Sequence, residues 1–326
     1  MTIETDTPVS LVPEDHLLSM LPPFWKQRFE RALTFLMDTL ERTPPPSWHE
    51  VAKHCAVSPY HFHRMFRIVF GETPAQYCRR IRLRLAVTLL FNEPDLSITD
   101  IAHACGFSAS QALAKALRRQ LGLSAKAIRA MRSSGDTSDI EELLLRLGHP
   151  APHRKGSVER DLADKLSFHV QGFPQRELQV TSVSPPSDGN IIAATRGKAG
   201  GRSQDLVLVM ALEDYDKPFA QQTVRAGYYA PDAAGANYRL PAGPYLCCRV
   251  ALSSESGYIA AWDALYAHMI KHDLEPDDDG HTLEIVHNPA SLSVESDEMA
   301  EMSLSVRLKP QPANCKLDPT IKSGGQ

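Results

Sequence analysis

The sequence predicts a multi-domain chain: an all-α domain carrying a duplicated helix pair, followed by an α+β domain with an antiparallel sheet. Three observations carry that division. Apolar residues recur at helical spacing through 24–132, then give way to short alternating or continuous apolar runs from about residue 166. A short helix, a tight turn and a two-faced helix occur twice, about fifty residues apart. The charge divides with the pattern. Residues 24–132 hold 17 Lys and Arg against 8 Asp and Glu, the rest of the chain 18 against 31, within a net charge of -4.

Residues 1–23 are polar and proline-punctuated and read as a flexible arm. Residues 24–42 read as a helix with Phe24, Trp25, Phe29, Leu33, Leu36, Met37 and Leu40 on its apolar face, ended by Thr43-Pro44-Pro45-Pro46. In the first duplicated copy, Phe62, Met65, Phe66 and Val69 fall at i, i+3, i+4 and i+7, one buried stripe of a helix. Tyr60, His63, Arg64 and Arg67 form a second, cationic stripe pointing away. In the second copy Leu113, Ala116, Leu117 and Leu121 face inward, and Gln111, Lys115 and Arg118 face out. Both two-faced helices stop at glycine, Gly71 and Gly122, and restart through Thr73-Pro74 and Ser124-Ala125.

This is a helix-turn-helix layout, in which the second helix of each pair enters a major groove of DNA. An ordinary helical bundle also has polar faces, but two copies within a basic block point to nucleic acid. Base reading falls to Tyr60, His63 and Arg64 in the first copy and to Gln111 and Lys115 in the second. Arg67, Arg118 and Arg119 suit phosphates, assisted by backbone amides near Ser58 and Ser108. Between the copies, 74–91 reads as a helical strut of about 27 Å. Adjacent major grooves lie about 34 Å apart, so one chain reaches both with some bending of the DNA. Arg79, Arg80, Arg82 and Arg84 on the strut divide between phosphate contacts and internal ion pairs.

The segment from about 24 to 132 resembles the DNA-binding domain of AraC/XylS-type transcription regulators. The residues that carry the likeness are Ala52, Ser58-Pro59, Phe62, Arg64, Phe66, Gly71, Thr73-Pro74, Tyr77, Arg82-Leu83, Ala86, Leu89-Leu90, Ile98, Ile101-Ala102, Cys105-Gly106-Phe107-Ser108, Lys115, Leu117, Gly122 and Ser124. The second copy departs from the family, with Leu113, Leu117 and Leu121 where inner aromatics are usual and Lys115 where arginine is usual. Lysine lacks the planar fork that reads guanine, so the second copy is expected to be the weaker reader.

Residues 133–165 read as a turn-rich linker with a short helix at 140–147. Beyond it, strands are expected at 178–183, 205–212, 245–252, 283–286 and 302–308, with a helix at 258–272. Residues 166–309 resemble a GyrI-like (Rob/BmrR-type) effector-binding domain, built of two β-α-β-β units around a cleft. The second unit carries the likeness in 238–245, the Trp262 helix, Leu283-Glu284-Ile285 and 302–308. The first shows it only in Tyr215-Asp216-Lys217-Pro218 and Arg225, with a Gly-rich loop at 195–203 where the family has a helix. The resemblance implies that Glu284 lies in the cleft and meets a cationic or amphipathic small molecule, with Tyr245, Tyr258, Trp262 and Tyr266 nearby. Val286 stands where a further aromatic is usual. Taken alone, Trp262 and Tyr266 are better explained as core, and Glu284 has an alternative reading as the partner of an arginine such as Arg249.

Two other readings of this half stay open. As a hydrolase it would use Glu284 as general base, although the sequence holds no Ser-His-Asp set, nucleophile elbow or phosphate loop; the chain is read as not an enzyme. As a contact module it would meet a protein such as RNA polymerase, also the expected partner of the regulator reading. The cysteines at 55, 78, 105, 247, 248 and 315 show no metal-ligand spacing and read as reduced thiols. His54, Cys55, His61 and His63 are better explained by helix register than by a metal, and no cofactor is expected. No signal peptide or membrane-length apolar run is seen, so a cytoplasmic, membrane-free protein is expected. Residues 310–326 read as a disordered tail.

Overall fold

The computed structural model describes residues 7–134, 137–152, 156–196, 205–230, 235–277, 280–293, 296 and 298–309. The chain divides into two compact units, a helical one of residues 12–161 and a sheet-based one of residues 1–11 with 162–326. The helical unit contains α1 (Pro13–Ser19), α2 (Pro23–Asp38), α3 (Trp48–His54), α4 (Pro59–Phe70), α5 (Pro74–Asn92), α6 (Ile98–Ala104), α7 (Ser110–Leu121), α8 (Ala125–Met131) and α9 (Ser138–Arg146).

Local chemistry sets these boundaries. The Ser47 and Thr73 hydroxyls accept the backbone N–H of Glu50 and Gln76, whose side chains in turn accept the cap N–H groups, so α3 and α5 both open on a complete capping box. Ser97 and Ser124 cap α6 and α8 through their hydroxyls, each such cap being worth about 1 kcal/mol. The two-faced helices α4 and α7 end at Gly71 and Gly122 in the left-handed conformation, as expected from the sequence.

Phe29 of α2 is the hub of the first copy's core, with ring centroids 6.1, 6.1 and 5.6 Å from those of Phe62, Phe66 and Phe70. In the second copy Ile101, Leu113 and Leu117 are fully buried, so aliphatic volume replaces the rings. The strut α5 packs on α4, α6 and α8. Its Arg82 is internal: Nη1 donates to the Gly106 carbonyl at 2.8 Å and Nη2 to the Arg42 carbonyl at 2.9 Å. Arg80 is internal as well, paired with the Glu72 carboxylate at 2.7 Å. Neither is therefore positioned as a phosphate contact.

The arm and the linker expected from the sequence do not stand as such. Residues 12–23 belong to the helical unit, where α1 buries Leu17 and Leu18 and its Glu14 carboxylate accepts from the Tyr77 hydroxyl at 3.0 Å. A seven-residue helix is too short to show a period, which hid it among the prolines. Residues 137–152 and 156–161 fold onto the same unit: Ile140, Leu143, Leu147 and His149 are buried, and the His149 N–H donates to both Glu159 oxygens at 3.0 Å. The polar turns on either side of α9 gave this segment its linker-like composition.

His149 lies tilted against the Phe70 and Tyr77 rings, and burial first, then Arg80, pushes its imidazole down to about 4. A histidine neutral when folded and protonated at about 6.5 when unfolded destabilises the fold as pH falls from 6.5 towards 4. The raised carboxyl of neighbouring Glu72, set by burial, works in the opposite sense. The His149→Phe variant keeps the ring contacts and is expected to show a flatter loss of stability between pH 6.5 and 4. Urea melts of variant and parent across that range check this, and parallel curves would remove the assignment.

In the sheet unit the chain runs β1 (Val9–Ser10), then α10 (Val158–Ala163, which spans the boundary), β2 (His169–Phe173), β3 (Arg176–Val183), α11 (Asp188–Thr195), β4 (Leu206–Ala211), β5 (Val224–Tyr229), β6 (Tyr238–Leu240), β7 (Gly243–Leu252), α12 (Glu255–Lys271), β8 (His281–Val286) and β9 (Ala300–Arg307). The strand order is β1-β7-β9-β8-β4-β5-β3-β6, with β2 also on β7; every pair is antiparallel except β1–β7. Two units, β3-α11-β4-β5 and β7-α12-β8-β9, repeat one pattern. In each, the last strand sits between the other two, and the middle strands β4 and β8 join the halves.

The helix of the first unit is present at Asp188–Thr195, where no helix was expected. It follows Pro185, Pro186 and the Ser187 cap, and its opening Asp188-Gly189-Asn190 reads as a turn by composition. The Gly-rich stretch 197–204 and the expected tail 310–326 lie outside the described residues. Strands β2 and β5 were not anticipated, because glycine and tyrosine interrupt their alternation. Among the described residues no helix is long and apolar enough to cross a membrane. The five described cysteines are buried free thiols, and among the described residues no cluster of three or more His, Cys, Asp or Glu is placed to hold a metal.

Candidate nucleic-acid interface and buried carboxylate

The outward face of α4 follows from the burial of the inward one. Phe62, Phe66, Val69 and Phe70 are buried, which turns Tyr60, Arg64 and Arg67 to solvent, with Tyr60 69 % exposed. Met65, expected inside, is only half-buried, and Phe70 takes the inner place instead. His63 is half-buried beside Trp48, their rings 5.5 Å apart edge to face. A shallow concavity is lined by Trp48, Tyr60, His63, Arg64 and Arg67. Trp48 was not singled out from the sequence. Its signal was its place as first residue of α3, directly after the Ser47 cap.

The second copy repeats the arrangement. Leu113, Leu117 and Leu121 are buried, and Gln111, Lys115, Arg118 and Arg119 are exposed around a matching concavity with Ala114. The turns differ at one equivalent residue: Ala56 adopts φ 53, and Gly106 φ 70. Ser58 is the N-cap of α4, exposed and making no side-chain cap bond. Ser108 is exposed but lies one residue before Ala109, the N-cap of α7. The backbone start of α7 is therefore displaced from the position expected of it.

In the sheet unit, Glu284 lies on the helix-covered face. Its register partners Leu208 and Leu304 share that face, and the Tyr258 hydroxyl of α12 donates to its Oε1 at 2.6 Å. Burial lifts the Glu284 carboxyl to about 7; the Tyr258 hydrogen bond opposes the rise and the nearby Asp188 of α11 adds to it. Trp262 follows Tyr258 at 6.4 Å, and Tyr266, partly exposed, follows Trp262 at 6.0 Å. The Tyr215 hydroxyl bonds the Thr282 hydroxyl at 3.0 Å, one strand turn from Glu284.

Tyr245 is a correction. It pairs with Arg307 on β9 while Glu284 pairs with Leu304, so the two side chains project from opposite faces of the sheet. Tyr245 is fully buried on the other face, its hydroxyl donating to the Pro241 carbonyl at 3.1 Å and lying 3.0 Å from His281 Nε2. Arg249 is not the partner of Glu284 either; it meets Glu301 at 3.3 Å on that same opposite face.

Residues 51–131 match a family profile described as a helix-turn-helix domain. In sequence the chain is similar to the HTH-type transcriptional activator RhaS of Escherichia coli O139:H28, 37% identical over 86 residues, and to RhaS of Klebsiella pneumoniae (strain 342), 38% identical over 87 residues. These alignments span 26% and 27% of this chain and 31% of each activator, so the chain covers about a third of the relatives it matches. Solved structures similar to part of the chain include a transcriptional regulator with an AraC-type DNA-binding domain from Chromobacterium violaceum (27% identity, 33% of this chain and 95% of that one, TM-score 0.30). Another is the DNA-binding domain of AdpA in complex with a target DNA (32% identity, 32% and 89%, TM-score 0.29). By the family profile, residues 51–131 are a helix-turn-helix domain.

Proposed function

We propose that the protein is a sequence-specific transcription regulator that reads two adjacent major grooves with α4 and α7 and senses a small molecule through its sheet unit. The observation that carries the reading is the pairing of faces. Within the matched helix-turn-helix segment, both second helices bury an apolar stripe and present a polar, cationic one to solvent. Tyr60, His63 and Arg64, and in the second copy Gln111 and Lys115, read base edges; Arg67, Arg118 and Arg119, with backbone amides near Ser58 and Ser108, hold phosphates.

Arg64→Ala is expected to weaken specific binding by about 1–3 kcal/mol and relax one base position, whereas Arg67→Ala weakens all sequences alike and lowers the salt slope by about 1. Titrations of intact parent and variants on specific and random duplexes check this. Unchanged affinity and preference in Arg64→Ala would remove the base-reading role.

The sheet unit is the sensor in this proposal, a GyrI-like domain by its repeated β-α-β-β topology. Glu284, Tyr258, Trp262 and Tyr266 meet an amphipathic cation, whose charge would favour the ionised carboxylate and whose apolar part would meet the rings. RNA polymerase is the partner through which occupancy changes transcription. A genomic footprint and reporter assay of the intact protein, with and without amphipathic cations, tests both halves. Protection across two adjacent grooves and a cation response lost in Glu284→Gln support it; output indifferent to every cation removes the sensor half.

A further inference from the structure

The face of the sheet opposite Glu284 carries a second and chemically opposed arrangement. Two-residue links, Pro174-Gln175 between β2 and β3 and Pro241-Ala242 between β6 and β7, tie the two ends of the strand order together, so the sheet rolls up. Arg176 of β3 and Tyr245 of β7 stand at opposite ends of that order, yet the guanidinium carbon lies 5.7 Å from the tyrosine ring. It also lies 4.1 Å over the Phe173 ring and 5.8 Å from that of Tyr229.

Rings cover the flat faces of a guanidinium well, and cation–π attraction offsets part of its lost hydration. They do not satisfy its edge. Arg176 Nη1 donates to the Tyr229 hydroxyl at 3.1 Å, while Nε and Nη2 are buried with no hydrogen-bond partner. Those two N–H groups form one side of the guanidinium, the fork that matches the two oxygens of a carboxylate. Leaving charged donors desolvated and unpaired is costly.

The surrounding field has the same sign. Arg307 stands nearby with its charge met by Asp277 at 2.8 Å, and Arg225 lies over the Tyr238 ring on the same face. Burial, then Arg307 and Arg176, push His281 down to about 4, so it adds no charge at neutral pH. Among the described residues no carboxylate meets Arg176. Phe173 is only half-buried, and Gly172, Pro174 and Gln175 beside it are exposed, so the residues flanking the fork at the end of β2 reach the surface.

We propose that the rolled face of the sheet binds a planar organic carboxylate, held by Nε and Nη2 of Arg176 between the Phe173 and Tyr245 rings. This site is independent of Glu284 and selects the opposite charge.

The test is calorimetry on the full chain with benzoate, acetate, inorganic phosphate and, as the opposite charge, benzylammonium. Benzoate is expected to bind, and acetate and phosphate to bind more weakly. Arg176→Lys keeps the charge but loses the fork, and is expected to lower benzoate affinity roughly 10- to 100-fold. Arg176→Met is expected to abolish binding. The Nε–H resonance of Arg176 should shift on benzoate addition in the parent, a readout that holds even where Arg176→Met fails to fold. No binding of benzoate at millimolar concentration, equal affinity in Arg176→Lys, or tighter binding of phosphate than benzoate would overturn the proposal.

Discussion

Gly106→Ala is expected to destabilise the helical unit by about 3–5 kcal/mol, through backbone strain together with a contact that cannot relax. Two requirements meet at this residue. Its φ of +70° is a conformation that side chains adopt only at a cost, and a Cβ placed on it would stand 2.5 Å from the Leu40 carbonyl oxygen and 2.8 Å from Arg82 Cζ. Neither neighbour can yield. Leu40 contributes backbone, and the Arg82 guanidinium is pinned by hydrogen bonds to the Gly106 and Arg42 carbonyls, with the Thr43 hydroxyl donating to the Gly106 carbonyl as well at 3.1 Å. Two internal comparisons separate the contributions. Ala56 occupies the equivalent turn position at φ 53, so the conformation alone is tolerated. Gly122 has φ +76° with nothing within 4 Å, so Gly122→Ala should cost only about 1 kcal/mol. Urea melts followed by the helical signal would show a large drop for Gly106→Ala beside a small one for Gly122→Ala. Equal midpoints would contradict the steric account.

Glu284→Gln is expected to stabilise the sheet unit at pH 8 by up to about 3 kcal/mol. The folded carboxyl titrates at about 7, against a model-compound value of 4.5. An acid whose folded pKa is raised opposes folding wherever it is ionised: not at all below about 4.5, increasingly from there to 7, and fully above. Glutamine keeps the shape and still accepts the Tyr258 hydrogen bond, but carries no charge to desolvate. Melts of parent and variant should therefore coincide near pH 4 and separate as pH rises to 8. A stability cost retained at a buried carboxylate is what a cation-binding role would require. A variant no more stable than the parent at pH 8 would remove that argument.

Sequence patterning made most of the helical unit legible, because a period of 3.6 over twelve residues leaves little choice about which face of α4 or α7 is inside. The same pattern exposed Tyr60, Arg64, Gln111 and Lys115 correctly. It could not assign Arg82, since an arginine in a helix reads alike whether it meets phosphate or a buried carbonyl; only the fold brings the Gly106 carbonyl to it. Short elements escaped for the same reason of scale: α1 and α11 are seven and eight residues long and begin among prolines, serines or glycine. In the sheet, alternation at β3 and short apolar runs at β4 and β7 located strands, with β8 and β9 also expected, but which face each residue used depended on register. Tyr245 was placed beside Glu284 because both lie on strands of one repeat, and the pairing of Tyr245 with Arg307 puts it on the other side. The fork of Arg176 was invisible, because it arises from the closure of the sheet rather than from any local motif.

The central claim is that one helical unit presents two separate readers to adjacent grooves, and binding-site selection with the intact chain tests it most directly. The parent should recover sites with two short determinants spaced by about one helical turn, near 10 base pairs. Tyr60→Ala with His63→Ala and Arg64→Ala should erase one determinant, and Gln111→Ala with Lys115→Ala the other, each leaving its counterpart in place. Loss of the same determinant in both variants, or of neither, would contradict the account.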